Sequence, residues 1–283
     1  MKRKILIPTD FSKNAWNAVT FASDLFKHQE CIFYLLNAYS TSGYSTGDLM
    51  VPEPGTKSYD NAQTVSENGL AKIMDMLDFR EDNPKHEYRT LSEFNDPLSA
   101  MRNVIEKVDI ELVIMGTKGA SNKRGVLFGS NAIMAMEKLR NCPVMGIPEN
   151  ARVPKVKEIV FPTSYKTHYK RKELKYLIDI AQLQDATICV LHANPRDEMS
   201  QSQEDNKQLL TECLEGANVA FHHLHASDPV QAVQIFVESR DSDMIAFINK
   251  KHAFFGSVFT SPMVKELGMF SKVPLLVMHD MRN

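Results

Sequence analysis

Lys4-Ile5-Leu6-Ile7-Pro8-Thr9 and Glu158-Ile159-Val160-Phe161-Pro162-Thr163 share one pattern, an apolar run that stops at Pro-Thr. Such a run reads as a strand buried on both faces and ended where proline has no amide to give a ladder. Two further markers recur in the same order. Asn95-Asp96-Pro97 and Ser227-Asp228-Pro229 each place proline in the first turn of an amphipathic helix, with the aspartate as its N-cap. Cys142-Pro143-Val144-Met145-Gly146-Ile147 matches Val273-Pro274-Leu275-Leu276-Val277-Met278 as a last apolar strand. Pro97 to Pro143 is 46 residues and Pro229 to Pro274 is 45, so the chain is a tandem repeat. Pro8 to Pro97 is 89 residues against 67 for Pro162 to Pro229, a surplus of 22 in the first half. It is assigned to a loop insertion around Ser40 to Ser58, where Gly43, Gly47, Pro52, Pro54 and Gly55 exclude a core element and a mobile flap is expected.

The periodicity predicts strand 4–8, helix 12–27, strand 31–38, helix 59–79, strand 86–91, helix 97–107, strand 111–116, helix 130–139 and strand 143–147. The second half repeats it: strand 157–162, helix 168–183, strand 186–193, helix 200–215, strand 219–225, helix 229–239, strand 243–248, helix 261–270 and strand 274–278. Apolar strands alternating with helices imply parallel sheets covered on both faces. The fold class is therefore α/β, two tandem doubly wound, Rossmann-like five-stranded sheets, with domains at 1–150 and 151–283. A strand order of 3-2-1-4-5 brings Asp10, after the first strand, and Gly116, at the end of the fourth, to one crevice at the switch point.

Gly116 belongs to the other informative run, Val113-Ile114-Met115-Gly116-Thr117-Lys118-Gly119, followed after nine residues by Gly129-Ser130-Asn131. A strand passes into spaced glycines, and a helix opens at Ser130. Glycine admits positive φ and close approach of the backbone to a ligand, and a helix N-terminus aims unpaired amides at an anion. The run lacks the Gly-Lys-Ser/Thr of a Walker loop and the third close glycine of a dinucleotide fingerprint. A nucleotide phosphate is the natural guest.

Composition bounds the alternatives. With 283 residues, 43% hydrophobic and 24% charged, the chain is an ordinary globular protein of two-domain length. A net charge of -2 offers no field for nonspecific binding to nucleic acid or anionic lipid. The apolar run after Met1-Lys2-Arg3 is too short for a signal peptide, and no stretch suits a membrane span. Cys31, Cys142, Cys189 and Cys213 lack close pairing, which suits a reducing cytoplasm.

Taken together, Ile5 to Ser12, Asp96-Pro97, Leu112 to Gly116 and above all the G-x2-G-x9-G-[ST] pattern of Gly116, Gly119, Gly129 and Ser130 resemble the universal stress protein family in tandem form. The resemblance implies an adenine nucleotide, usually ATP, or ADP or AMP, possibly with Mg2+. Gly116, Gly119, Gly129, Ser130 and Asn131 would hold phosphates and ribose, next to Met115. Thr9 and Asp10 would flank the nucleoside, and the backbone at Asn37-Ala38 would meet the adenine edge, where the family often has histidine before the aliphatic residue. Lys118, Lys123 and Arg124 lie beside the cradle, placed to neutralise phosphate. By the family's habit the last strands of the two halves pair edge to edge as an internal pseudo-dimer, and two chains join as a homodimer.

The second half has Phe247-Ile248-Asn249-Lys250-Lys251-His252 and Phe259-Thr260-Ser261 in place of the glycines, and Ser164 in place of Asp10. Side chains there would obstruct phosphate, so one nucleotide site per chain is expected, in the first half. His222, His223 and His225 have no cysteine or acid at ligand spacing and read as strand-surface groups rather than a metal site; His192 reads as a core-edge residue. Met74, Met101, Met134 and Met136 read as helix core filling. On residues alone three functions stay open: a nucleotide-binding stress-response or signalling module, a slow ATP hydrolase using the same site, and a tandem scaffold that binds nothing.

Overall fold

The computed structural model describes residues 2–40, 54–80, 83–118, 129–151, 155–195, 198–250, 267 and 271–280. The first half runs β1 (Arg3–Pro8), α1 (Lys13–Leu25), β2 (Cys31–Tyr39), α2 (Lys57–Asp78), β3 (His86–Phe94), α3 (Pro97–Val108), β4 (Leu112–Gly116), α4 (Ser130–Lys138), β5 (Val144–Ile147). The second runs β6 (Glu158–Thr163), α5 (Arg171–Gln184), β7 (Thr187–Ala193), α6 (Gln201–Cys213), β8 (Asn218–Leu224), α7 (Pro229–Arg240), β9 (Met244–Asn249), β10 (Leu275–His279). Apart from Leu267, the helix expected over 261–270 lies outside the described residues, as do the segment 41–53 of the expected flap and Gly119, Lys123 and Arg124.

Within each half the strands are parallel, and the order is the expected 3-2-1-4-5. The two sets join through β5 and β10, which run antiparallel with Met145 opposite Leu276, into one ten-stranded sheet. The edge pairing of the last strands is thus present. Alternation along β1 sends Ile5 and Ile7 to one face and Leu6 to the other, and every strand near the centre does the same. Helices α1, α2, α5 and α6 cover the first face through residues such as Phe21, Ile73, Leu177 and Leu210. Helices α3, α4 and α7 cover the second through Met101, Met136 and Phe236.

Asp96 and Asp228 cap α3 and α7 as their sequences require, each accepting two amides of the first turn. The surplus of the first half is not all loop. Helix α2 has 22 residues where α6 has 13, and its stripe Ser66, Leu70, Ile73, Leu77 keeps one face on the core. Helix α5 starts at Arg171, after the expected 168, because Tyr169 turns into the core and Lys170 is extended. Met101 and Met136 fill the core and Met74 packs against it, whereas Met134 departs from expectation with 40% exposure, since it falls on the outer face of α4.

Side chains reinforce the join. Arg140 reaches across it to the Asn249 carbonyl at 2.8 Å and to Asp280 at 3.3 Å. On the other face Arg3 pairs with Asp179 of α5 at 3.0 Å, and Gln184 donates to the Leu25 carbonyl at 2.9 Å. Leu276 is fully buried at this join. Leu276→Ala is expected to cost about 2–5 kcal/mol, the usual range for emptying a buried leucine site. Because the join couples the halves, denaturant unfolding followed by Trp16, which lies in the first half, should shift with it; an unmoved Trp16 transition would show that the halves unfold separately.

Candidate functional site

Parallel order puts β2 on one side of β1 and β4 on the other, so the chain leaves β1 and β4 toward opposite faces and a cleft opens at their carboxyl ends. The cleft has a volume of about 150 Å3. From the first strands come Pro8, Thr9, Asp10, Leu36 and Ala38, from β4 and its exit Met115, Gly116, Thr117 and Lys118, and from the start of α4 Gly129, Ser130, Asn131 and Ala132. Helix α3 adds Pro97 and Met101. Of the described residues expected from sequence, Thr9, Asp10, Ala38, Met115, Gly116, Lys118, Gly129, Ser130 and Asn131 line this one cleft, and Asn37 does not.

Its walls differ in character. Leu36, Ala38, Pro97, Met101, Met115 and Ala132 make an apolar side, while Asp10, Thr117, Lys118, Ser130 and Asn131 make a polar one. Helix α4 begins with Gly129 as an N-cap that supplies no side-chain hydrogen bond, and its first turn contains no acid. Among the described residues the helix itself therefore carries no side chain that offsets its positive end, which faces the polar side. Ser130 and Asn131 are exposed there, and Thr117 Oγ1 is buried without a hydrogen-bond partner. An orphaned buried hydroxyl is a group that a ligand atom can satisfy.

Thr9 is fixed from three sides. Its amide donates to the Leu36 carbonyl at 2.8 Å, its Oγ1 accepts from the Phe11 amide at 3.1 Å, and its carbonyl accepts from Asn37 Nδ2 at 2.7 Å. Asn37 thus faces away from the cleft and ties β2 to β1, while Leu36 and Ala38 line it. Asp10 is exposed, and its Oδ1 accepts the Ser12 amide at 3.1 Å. The Lys118 ammonium pairs with Glu149 at 3.0 Å.

The two described glycines of the motif depart from the sequence reading in their backbone conformation. Gly129 has φ of −76° and Gly116 is not in the left-handed region, so neither is there for positive φ. A Cβ on Gly116 would stand 2.9 Å from the Asn14 carbonyl oxygen, and Asn14 Nδ2 donates to the Lys118 carbonyl at 3.3 Å. Gly116 lets α1 close on β4, and so sets the depth of the cleft from behind.

The second half shows what happens without it. Pairing registers place Thr163 at the position of Thr9, His192 at Asn37, Ile248 at Gly116 and Asn249 at Thr117. His192 Nδ1 donates to the Thr163 carbonyl at 2.9 Å, as Asn37 does to Thr9. Burial pushes its imidazole below the usual range, only partly opposed by that bond. The place that α1 takes beside Gly116 is left open by the late start of α5. Tyr169 is buried there against Thr163, with its hydroxyl bonded to Thr163 Oγ1 and Lys250 over its ring. His223 and His225 are exposed, and among the described residues no group of three His, Cys, Asp or Glu suits a metal ion.

Sequence reading missed Pro97, Met101, Thr117 and Ala132 as lining residues. The sequence assigns Pro97 and Met101 only to helix start and core, although the strand order by itself puts the start of α3 beside the switch point. Gly116→Ala is expected to lower stability by about 1–3 kcal/mol through the clash with the Asn14 backbone, measured by denaturant midpoint. A variant as stable as the parent would mean α1 yields at no cost.

The sequence profile of the universal stress protein family matches residues 1–148. The fold is similar to a universal stress protein from Archaeoglobus fulgidus, with a TM-score of 0.69 at 15% identity over 97% of this chain and 97% of that one. It is also similar to a putative universal stress protein from Pseudomonas aeruginosa, with a TM-score of 0.61 at 12% identity over 98% and 93%. The cytoplasmic domain of a prokaryotic cation chloride cotransporter gives 0.55 at 10% identity over 99% and 96%. No curated protein matches the chain. The profile match over more than half of the sequence, on a fold of the expected strand order, makes this chain a member of the universal stress protein family.

Proposed function

We propose that the first-half cleft binds an adenine nucleotide, ATP in the first instance, and that the protein is a nucleotide-dependent stress-response or signalling module with domains at 1–150 and 151–283. The observation that carries this is the two-sided lining at the switch point. An apolar wall suits a base, and an exposed carboxylate with an uncompensated helix N-terminus suits ribose hydroxyls and phosphate. The base sits between Ala38, Met101 and Met115 and takes its edge bonds from the backbone at Ala38. Asp10 takes the ribose hydroxyls or a bound Mg2+, and the amides and side chains of Ser130 and Asn131 take phosphate oxygens. The enclosed volume is below the roughly 300–1,000 Å3 of common ligand pockets, so the phosphates extend beyond it along α4.

The ionisable groups of the described lining are Asp10 and Lys118, and Lys118 is paired with Glu149. With Asp10 as the one carboxylate, the cleft is equipped to hold a nucleotide better than to activate water against it. The four cysteines are free and buried, which favours a reducing compartment such as the cytoplasm. Among the described residues no helix is long and apolar enough to cross a membrane.

Calorimetry with ATP on the full chain should give one site per chain. Ser130→Glu keeps a residue that suits a helix N-terminus yet sets a carboxylate against phosphate, and should weaken ATP binding at least about tenfold without loss of stability. No binding heat together with no nucleotide released on denaturing fresh protein would overturn the reading. Steady release of ADP from ATP and Mg2+, abolished by Ser130→Glu, would move it to the hydrolase.

A further inference from the structure

The turn after β1 belongs to two cavities at once. Thr9 and Asp10 line the cleft, while Thr9 also borders a groove of about 630 Å3 between α1 and α2, together with Phe11, Trp16, Val65, Ile73 and Met76. Between them Phe11 holds φ of 63°, a left-handed conformation that a bulky side chain rarely adopts. Backbone outliers of this kind persist where the surroundings enforce them, and they concentrate at switch and ligand-clamp positions. Here the enforcing contacts are two hydrogen bonds, Phe11 amide to Thr9 Oγ1 and Ser12 amide to Asp10 Oδ1, both 3.1 Å. The ring of Phe11, 37% exposed, lies against Gly69 of α2, where a Cβ would stand 2.4 Å from the ring.

The equivalent turn in the second half has the same strain but is clamped. Tyr165 has φ of 54° and its amide bonds Thr163 Oγ1 at 3.1 Å. Its carbonyl accepts Asn206 Nδ2 at 2.8 Å, the Ser164 carbonyl accepts Gln203 Nε2 at 2.9 Å, and its ring is buried against His192. Helix α6 therefore grips the backbone of its turn through two amide side chains. Among the described residues helix α2 meets its own through an aromatic ring on a glycine, a contact that resists sliding far less than a directional hydrogen bond does.

We infer that the Thr9–Ser12 turn is a lever through which a ligand in the cleft reshapes the α1–α2 groove. The inference rests on the adenine-nucleotide reading of the cleft. The carboxylate of Asp10 that faces ribose or Mg2+ also holds the Ser12 amide, and Ser12 is the N-cap of α1, with its Oγ accepting the Ala15 amide at 3.1 Å. A ligand that draws Asp10 inward loosens one of the two bonds enforcing Phe11, and the ring shifts across Gly69. Only a ligand that binds the two positions unequally can do this, and engagement of Asp10 supplies the difference.

Trp16 is the single tryptophan of the chain and lines the groove, so it reports the change directly. ATP with Mg2+, added to the full chain, should alter Trp16 emission and its quenching by acrylamide with the midpoint found by calorimetry. Phe11→Gly, a residue at ease at positive φ and outside the cleft, should bind ATP within about threefold of the parent and lose the emission response. Gly69→Ala, which displaces the ring, should change Trp16 quenching before any ATP is added. Binding heat with unaltered Trp16 emission overturns the lever and leaves the site standing, as does a Phe11→Gly protein that responds fully. Absence of binding heat removes the nucleotide reading itself.

Discussion

The placement of β4 on the far side of β1 from β2 is the constraint on which the rest depends. Both faces of a parallel sheet must be covered, so consecutive crossovers on either side of β1 go to opposite faces, α1 and α2 to one and α3 and α4 to the other. Their connections then diverge at the carboxyl edge, and no helix can fill the gap between them. A cleft in that position is a consequence of the topology, and what the sequence decides is only what lines it. In the first half the described lining is an apolar wall, a helix N-terminus and one carboxylate; in the second Ile248 stands where Gly116 does.

How the halves diverged is visible in a single pair of positions. Gly116 and Ile248 occupy the same register on β4 and β9. Glycine lets Asn14 and the start of α1 close to within contact of the strand, and α1 therefore begins at Lys13, four residues after Thr9. Isoleucine forbids that approach, α5 begins at Arg171, and the intervening residues carry Tyr169 into the core over Thr163. Loss of the glycine goes with a displaced helix: Gly116 lines the cleft on one side and admits α1 on the other. Asn37 and His192, by contrast, show a change that costs little: an amide and an imidazole each donate one hydrogen bond to the threonine carbonyl and preserve the turn.

Most of the architecture was legible in the sequence because it is written in periodicity and punctuation. Strand faces follow from alternation and helix starts from Asp-Pro, whereas the join of the halves comes only from the family resemblance. What was misread was local and three-dimensional. A glycine announces only that a Cβ is absent, and whether the space goes to a ligand, a dihedral or a helix depends on a neighbour 102 positions away in the chain, Asn14 for Gly116. Helix α2 starts at Lys57, two residues before the expected 59, because Thr56 is its N-cap and the Gly-Pro-rich stretch before it masks the start. Met134 was assigned to the core on residue type, although its place one position before Ala135 and two before Met136 turns it outward on α4. Thr117 was overlooked between two conspicuous glycines, yet its buried, unbonded hydroxyl is among the clearest features of the lining.

The two strained turns sharpen the same point about division of labour. Each half pays for an aromatic residue at positive φ after its first strand, and each holds it with a threonine hydroxyl from the residue two before. Strain repeated in both copies belongs to the fold before it belongs to any ligand: it is how a strand ending in Pro-Thr turns into a helix on one face. What differs is the restraint beyond it. The second half adds bonds from Gln203 and Asn206 and a histidine ring, and so fixes the turn as structure. The first half leaves it against a glycine, beside an exposed carboxylate and an open groove. A fold that must make this turn in any case can convert it into a moving part by withholding a clamp, without a new element or a new loop.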